Sequence, residues 1–140
     1  AMKLVEAIRR YGHLEADIYA VGGERQQTGL VDPATYGLTD EDLKEMPASW
    51  LWEQAPHEID NGFEVVNYLK NLYTGKISFE YDHVNNDEER QWLLNRIESG
   101  DLQKTISSEE KKQILKRLIS VEGFEDFLQK TFVGQKRFSI

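Results

Sequence analysis

Only one stretch of this chain alternates apolar and polar side chains as a half-buried strand does: Ile77, Phe79 and Tyr81, with Ser78 and Glu80 between them. No second stretch of similar strength offers it a partner, and a lone strand cannot satisfy its backbone N–H and C=O groups. The alternation therefore predicts a short extended or turn-like segment, and the rest of the core has to be built from helices.

The remaining apolar residues recur at helical spacing. Leu4, Val5 and Ile8 share a face, with Arg9 and Arg10 in the last turn before Gly12, as a helix C-terminus prefers. His13 to Leu38, with Gly22-Gly23, Gly29 and Asp32-Pro33, reads as a long loop holding a short turn of structure. Thr39 is an N-cap followed by Asp40, Glu41 and Asp42, acids that suit the positive end of a helix dipole; this helix ends near Pro47. After the Trp50-Leu51-Trp52 connection, Asn61 or Gly62 opens a helix whose stripe is Phe63, Val66, Leu69, Leu72 and Tyr73, with Gly75 as its stop. Asp87 to Ser99 is expected to be helical, with Trp92, Leu93 and Ile97 inward and Gly100 ending it. Ser107 and Glu110 stand at capping-box spacing for a helix bearing Ile114, Leu115, Leu118 and Ile119. A further helix carries Phe124, Phe127 and Leu128, with Gly134 just beyond. The expected fold is mainly α: a small helical domain of five to six short helices with long loops and at most one short extended segment. No repeat or low-complexity tract occurs, which excludes a solenoid.

A chain of 140 residues is expected to form one domain, and its fifteen aromatic residues supply material for a core. No apolar run is long enough to span a bilayer, and the chain opens on an amphipathic pattern instead of a signal peptide. Without cysteine there is no disulfide framework, thiol nucleophile or zinc–thiolate cluster. These features lead us to expect a cytoplasmic protein. A net charge of −8 argues against nucleic acid, whose phosphates need a basic surface. The charge is uneven. From Asp32 to Asp60 eight acids face Lys44 alone, and from Lys104 to Ile140 eight bases face five acids. Two solvated faces account for this, as does an acidic surface docking a basic partner.

Few residues suggest chemistry. Glu80, Asp82 and His83 lie close together, with Asp87, Glu88 and Glu89 behind them, a set that suits a divalent metal or a tuned base. On an extended stretch, however, His83 points away from Glu80 and Asp82, which favours a structural role. Gly134-Gln135-Lys136-Arg137 carries charge for an anion but opens no helix, so a basic linker explains it equally well. Trp50 and Trp52 either anchor an interface or cover the core. His13 and His57 stand without a motif around them. No nucleophile elbow, phosphate loop or dinucleotide fingerprint occurs.

The order of short motifs resembles one family. Arg10-Tyr11-Gly12-His13-Leu14 is followed by Asp32-Pro33, Tyr36-Gly37-Leu38-Thr39, Tyr73-x-Gly75, Ile77 and Glu80-Tyr81-x-His83. Glu88-Glu89-Arg90-x-Trp92, Arg96-Ile97-Glu98, Ser108-Glu109-Glu110-Lys111 and Glu122-Gly123-Phe124-Glu125 continue in register. The strongest piece is the last, Phe132-Val133-Gly134-Gln135-Lys136-Arg137-Phe138-Ser139. In this order they resemble the N-terminal region of the E1 component of 2-oxoglutarate dehydrogenase, a thiamine-diphosphate-dependent decarboxylase. The match is looser over His13–Pro56, and Asp82 stands where many of that family carry an apolar residue.

The resemblance implies a parent enzyme that oxidatively decarboxylates 2-oxoglutarate and succinylates the lipoyl group of E2. It implies thiamine diphosphate and Mg²⁺ in that parent, bound through a Gly-Asp-Gly motif and a later Asn-Asn pair. Here Gly100-Asp101 runs into Leu102, and Asn85-Asn86 precedes it. No catalytic, cofactor-binding or metal-ligating residue is therefore carried over, and the segment itself is expected to be inactive. Implied partners are the remainder of the E1 chain, its homodimer mate, and at complex level the E2 succinyltransferase and E3, with neither nucleic acid nor membrane. We expect Ala1-Met2 to be an expression remnant, 3–133 a helical domain preceding the catalytic core, and 134–140 the truncated start of the entry into the thiamine-diphosphate domain. Two other readings compete: a free-standing acidic helical adaptor using Trp50, Trp52 and the acidic stretch, and a metal-dependent hydrolase built on Glu80, Asp82, His83 and Asp87.

Overall fold

The computed structural model describes residues 1–19, 22–100, 102 and 105–134. The chain forms two compact units, Ala1–Asp101 and Leu102–Ile140. Five α-helices occur among the described residues: α1 (Met2–Tyr11), α2 (Asp40–Lys44), α3 (Gly62–Tyr73), α4 (Asp87–Glu98) and α5 (Ser108–Thr131). Three short 3₁₀ turns punctuate the loops at Gly12–Glu15, Pro33–Tyr36 and Ala48–Trp50. No strand occurs among the described residues; a single bridge pairs Pro47 with Asn61. The Ile77–Tyr81 alternation resolves as expected into a non-helical stretch, with Tyr81 buried, Phe79 half-buried and Ile77 exposed.

The first unit is organised around α3. Its sequence begins with the N-cap Asn61, whose side chain accepts from the Glu64 N–H at 3.1 Å. Val66, Leu69, Leu72 and Tyr73 are buried as the stripe predicts, and Val65 is buried as well. The wider face follows from packing on two sides, against α1 and against α2. From α1 come Leu4, Val5, Ala7 and Ile8; from α2 comes Leu43. Burying each large aliphatic side chain in this cluster contributes about 1.5–3 kcal/mol.

Gly12 sets how closely α1 and α3 approach. Its φ is −57°, so the residue is not a left-handed stop; α1 runs straight into the 3₁₀ turn. A Cβ on Gly12 would lie 2.7 Å from Tyr73 Cβ, so glycine is needed here for lack of space. Gly100, by contrast, ends α4 with φ +76°, the left-handed conformation expected there.

Capping explains the other helix starts. Thr39 and Asp42 form a reciprocal capping box on α2, Asn86 accepts from the N–H groups of Glu88 and Glu89 on α4, and Ser107 and Glu110 form a second capping box on α5. Two sequence expectations need correction. Trp92 is 62% exposed, so α4 turns Ile97 and Leu93 inward and Trp92 outward. The two helices expected near the C-terminus are one helix of 24 residues, so not every helix is short. Gly123 lies within it; a lone glycine costs a helix about 1 kcal/mol and does not end it without turn residues or proline nearby.

Candidate functional site

The most tightly assembled polar group in the first unit surrounds Glu98, the last residue of α4. Arg9 on α1 donates to it twice, Nε to Oε1 at 2.7 Å and Nη2 to Oε2 at 2.8 Å. Tyr73 OH on α3 donates to Oε1 at 3.1 Å and lies 3.3 Å from Tyr81 OH. With the Tyr73 proton committed to Glu98, Tyr81 is the donor of that pair. Tyr68 OH donates to the Glu98 backbone carbonyl at 3.1 Å. Glu98 is only 5% exposed, so its charge depends on these donors. Burial opposes the Arg9 charge, but the hydrogen bonds and field of Glu98 outweigh it and raise the guanidinium pKa. Burial, followed by the field of Glu98, pushes Tyr73 far above the ordinary tyrosine range; burial first also raises Tyr68 and Tyr81. The group ties three helices and the 78–81 segment together. It holds protons firmly, the opposite of what a general acid or base requires.

A second buried carboxylate, Glu15, organises the long loop. Its Oε1 accepts from Thr28 N at 2.9 Å, Thr28 Oγ1 at 2.6 Å and Gly29 N at 3.1 Å, while Arg25 Nε donates to its backbone carbonyl at 2.7 Å. Beside it lies a polar cavity of about 390 Å³, whose lining includes Arg25, Gln27, Asn67, Lys70 and Asn71. These side chains supply cations and amide groups. The lining also includes Glu15, Asp32 and Thr74, but each is engaged structurally: Glu15 at the Thr28–Gly29 corner, Asp32 accepting from the Ala34 N–H, and Thr74 Oγ1 donating to the Lys70 carbonyl.

The residues singled out in the sequence do not converge. Asp82 pairs with Arg10 at 2.7 Å, an exposed bridge, while Glu80 and His83 are exposed. Among the described residues no group of three His, Cys, Asp or Glu side chains is placed to hold a metal ion. The two indoles separate: Trp50 is 67% exposed, while Trp52 is half-buried against Tyr68, ring centroids 5.5 Å apart. His57 is exposed, and His13 buries an Nδ1 without a hydrogen-bond partner. Gln135, Lys136 and Arg137 lie outside the described residues, and Gly134 adopts φ +95°.

Sequence reasoning passed over both Glu98 and Glu15, although a signal was there. An acid in the last turn of a helix opposes the macrodipole, so an acid after Ile97 at the end of α4 needs a specific cation to hold it. The cation is Arg9, 89 residues away.

No family model matches the chain. Curated relatives match it from end to end. A protein of Oceanobacillus iheyensis named 2-oxoglutarate dehydrogenase E1 component is 57% identical over 100% of this chain. Proteins of the same name from Bacillus licheniformis and Bacillus subtilis are 50% and 49% identical, again over 100% of it. The chain spans about 15% of the length of each of these relatives.

Proposed function

We propose that this chain, which corresponds along its whole length to the N-terminal region of 2-oxoglutarate dehydrogenase E1 components, serves as a non-catalytic helical scaffold of such an enzyme. The carrying observation is the Glu98 group, which spends its buried charges and hydroxyls on joining α1, α3 and α4. On this reading residues 3–133 form the helical part, and 134–140 begin the passage into the catalytic part. The parent would decarboxylate 2-oxoglutarate with thiamine diphosphate and Mg²⁺ and pass the succinyl group to E2, with E3 completing a cytoplasmic complex. The donor set among the described residues does not fit that cofactor, since no carboxylate or imidazole cluster converges to hold a metal. No step of the reaction is therefore assigned to this chain. No described helix is long and apolar enough to cross a membrane. The relatives named above lend no support to a free-standing adaptor.

The test compares this chain with a longer E1 polypeptide that carries it. Both are assayed for 2-oxoglutarate-dependent ferricyanide reduction with thiamine diphosphate and Mg²⁺ supplied, and for cofactor binding by calorimetry. Turnover and binding are expected in the longer polypeptide alone. Either one in the 140-residue chain overturns the proposal.

A further inference from the structure

We infer that the cavity beside Glu15 is a binding site for a small hydroxylated anion, a phosphate ester or a hydroxy acid. At about 390 Å³ it lies within the range of metabolite pockets. Among the described residues none that lines it is aromatic, so it offers a nucleobase nothing to stack on. Its buried residues are Glu15, Val31 and Thr74. Asn67, Lys70 and Asn71 reach it from one face of α3, at the spacing i, i+3 and i+4. Arg25 and Gln27 come from the loop that Glu15 clamps.

The groups left unengaged decide the ligand. Arg25 donates through Nε to the Glu15 carbonyl and keeps both Nη groups available. Lys70 Nζ and the side-chain amides of Gln27, Asn67 and Asn71 make no hydrogen bond among the described residues. The two acids are placed differently. Glu15 Oε1 already accepts three hydrogen bonds, and Asp32 accepts from the Ala34 N–H through Oδ1 alone. Two cations therefore offer charge-assisted bonds that no protein anion takes up: the Arg25 fork suits a carboxylate or phosphate, and the Lys70 ammonium adds a point charge. The fields of Glu15 and Asp32 oppose a bare anion, so its ligand has to recover binding elsewhere. Hydroxyl groups do so, since they donate to Asp32 Oδ2 and the amide oxygens and accept from the amide N–H groups. The inference rests on this cavity and does not depend on the E1 reading.

Calorimetry and amide NMR on the 140-residue chain test it, with glycerol 3-phosphate, malate and inorganic phosphate as probes. Glycerol 3-phosphate, malate or both are expected to bind one to one and to shift the Thr28 and Gly29 N–H signals. The tighter of the two tells a phosphate ester from a hydroxy acid. Inorganic phosphate, which lacks the hydroxylated body, is expected to bind about tenfold more weakly than the better probe. Lys70→Gln and Arg25→Gln are each expected to weaken binding about tenfold. Lys70→Gln removes no side-chain hydrogen bond of the described residues, and near-ultraviolet dichroism verifies that the fold is kept. Lys76→Gln removes an exposed lysine outside the lining and is expected to leave binding unchanged. Binding of neither hydroxylated probe, inorganic phosphate binding as tightly as the better one, an affinity that Lys70→Gln or Arg25→Gln leaves unmoved, or an equal loss from Lys76→Gln each overturn the proposal.

Discussion

Arg9 and Glu98 face each other as a bidentate pair, both guanidinium–carboxylate contacts within 2.8 Å, although 89 positions separate them in sequence. This pair closes the first unit by joining its first helix to the end of α4. A carboxylate so buried has little water to fall back on, and its partners on α1 and α3 must all be present at once.

Glu98→Ala leaves the Arg9 charge without its counter-ion and the Tyr73 hydroxyl without its acceptor. Arg9 keeps about a fifth of its side chain in contact with solvent, so the loss is expected at the lower end for broken buried pairs, about 3 kcal/mol. Urea unfolding followed by Trp fluorescence measures it. Arg9→Ala alone and the double variant complete a cycle, and the double loss is expected to fall short of the sum of the single losses.

The tyrosines set an alkaline limit. Burial raises the pKa of Tyr68, Tyr73 and Tyr81 in the folded state. The unfolded chain gives up these protons near pH 10, so the stability they contribute is complete below that pH and is lost as pH rises toward the folded values. The midpoint of urea unfolding is expected to fall steeply above about pH 10. Tyr73→Phe is expected to lessen that fall, and a midpoint independent of pH in this range would contradict the assignment.

Gly12→Ala forces a methyl group to within 2.7 Å of Tyr73 Cβ. The neighbour is the root of a buried side chain and has little freedom to give way. The expected cost is about 1–3 kcal/mol, read as a lowered melting temperature with helical content retained.

Glu15 holds the Thr28–Gly29 corner through three hydrogen bonds to one oxygen. Glu15→Ala removes this clamp while leaving the α1–α3 packing in place. Trypsin cleavage after Arg25 is expected to accelerate several-fold, with global unfolding shifted much less. Equal losses in both measurements would mean that the clamp belongs to the core itself.

Most of what the sequence made legible is local and periodic. The α3 stripe and the Thr39 and Ser107 caps depend on neighbours within a few residues, and all appear where spacing put them. Val65 escaped because it lies off the stripe and is buried only through packing on a second side. Trp92 went wrong for the converse reason: its helical spacing is right, but that face of α4 is left exposed in the first unit, and Trp92 is 62% exposed. The two C-terminal helices are one because the capping box and the good helix formers on either side of Gly123 outweigh its local cost. Glu98 is the clearest limit. Its neighbours give no hint of Arg9, and only the mismatch between its charge and its position on the helix marks it as unusual.

The start of α3 has a chemical consequence for how the molecule ages. Asn61 precedes Gly62, the pairing in which an amide side chain most readily cyclises to a succinimide and loses ammonia. That reaction requires the Gly62 nitrogen to attack the Asn61 side chain. In the fold this nitrogen is buried and donates to the Met46 carbonyl at 2.8 Å, while the Asn61 oxygen accepts from Glu64. The nucleophile is engaged for as long as the helix start is closed. Conversion of Asn61 to aspartate or isoaspartate therefore becomes a slow chemical clock that runs only while this corner is open, so that the converted fraction of a population records how long this helix start has stood open.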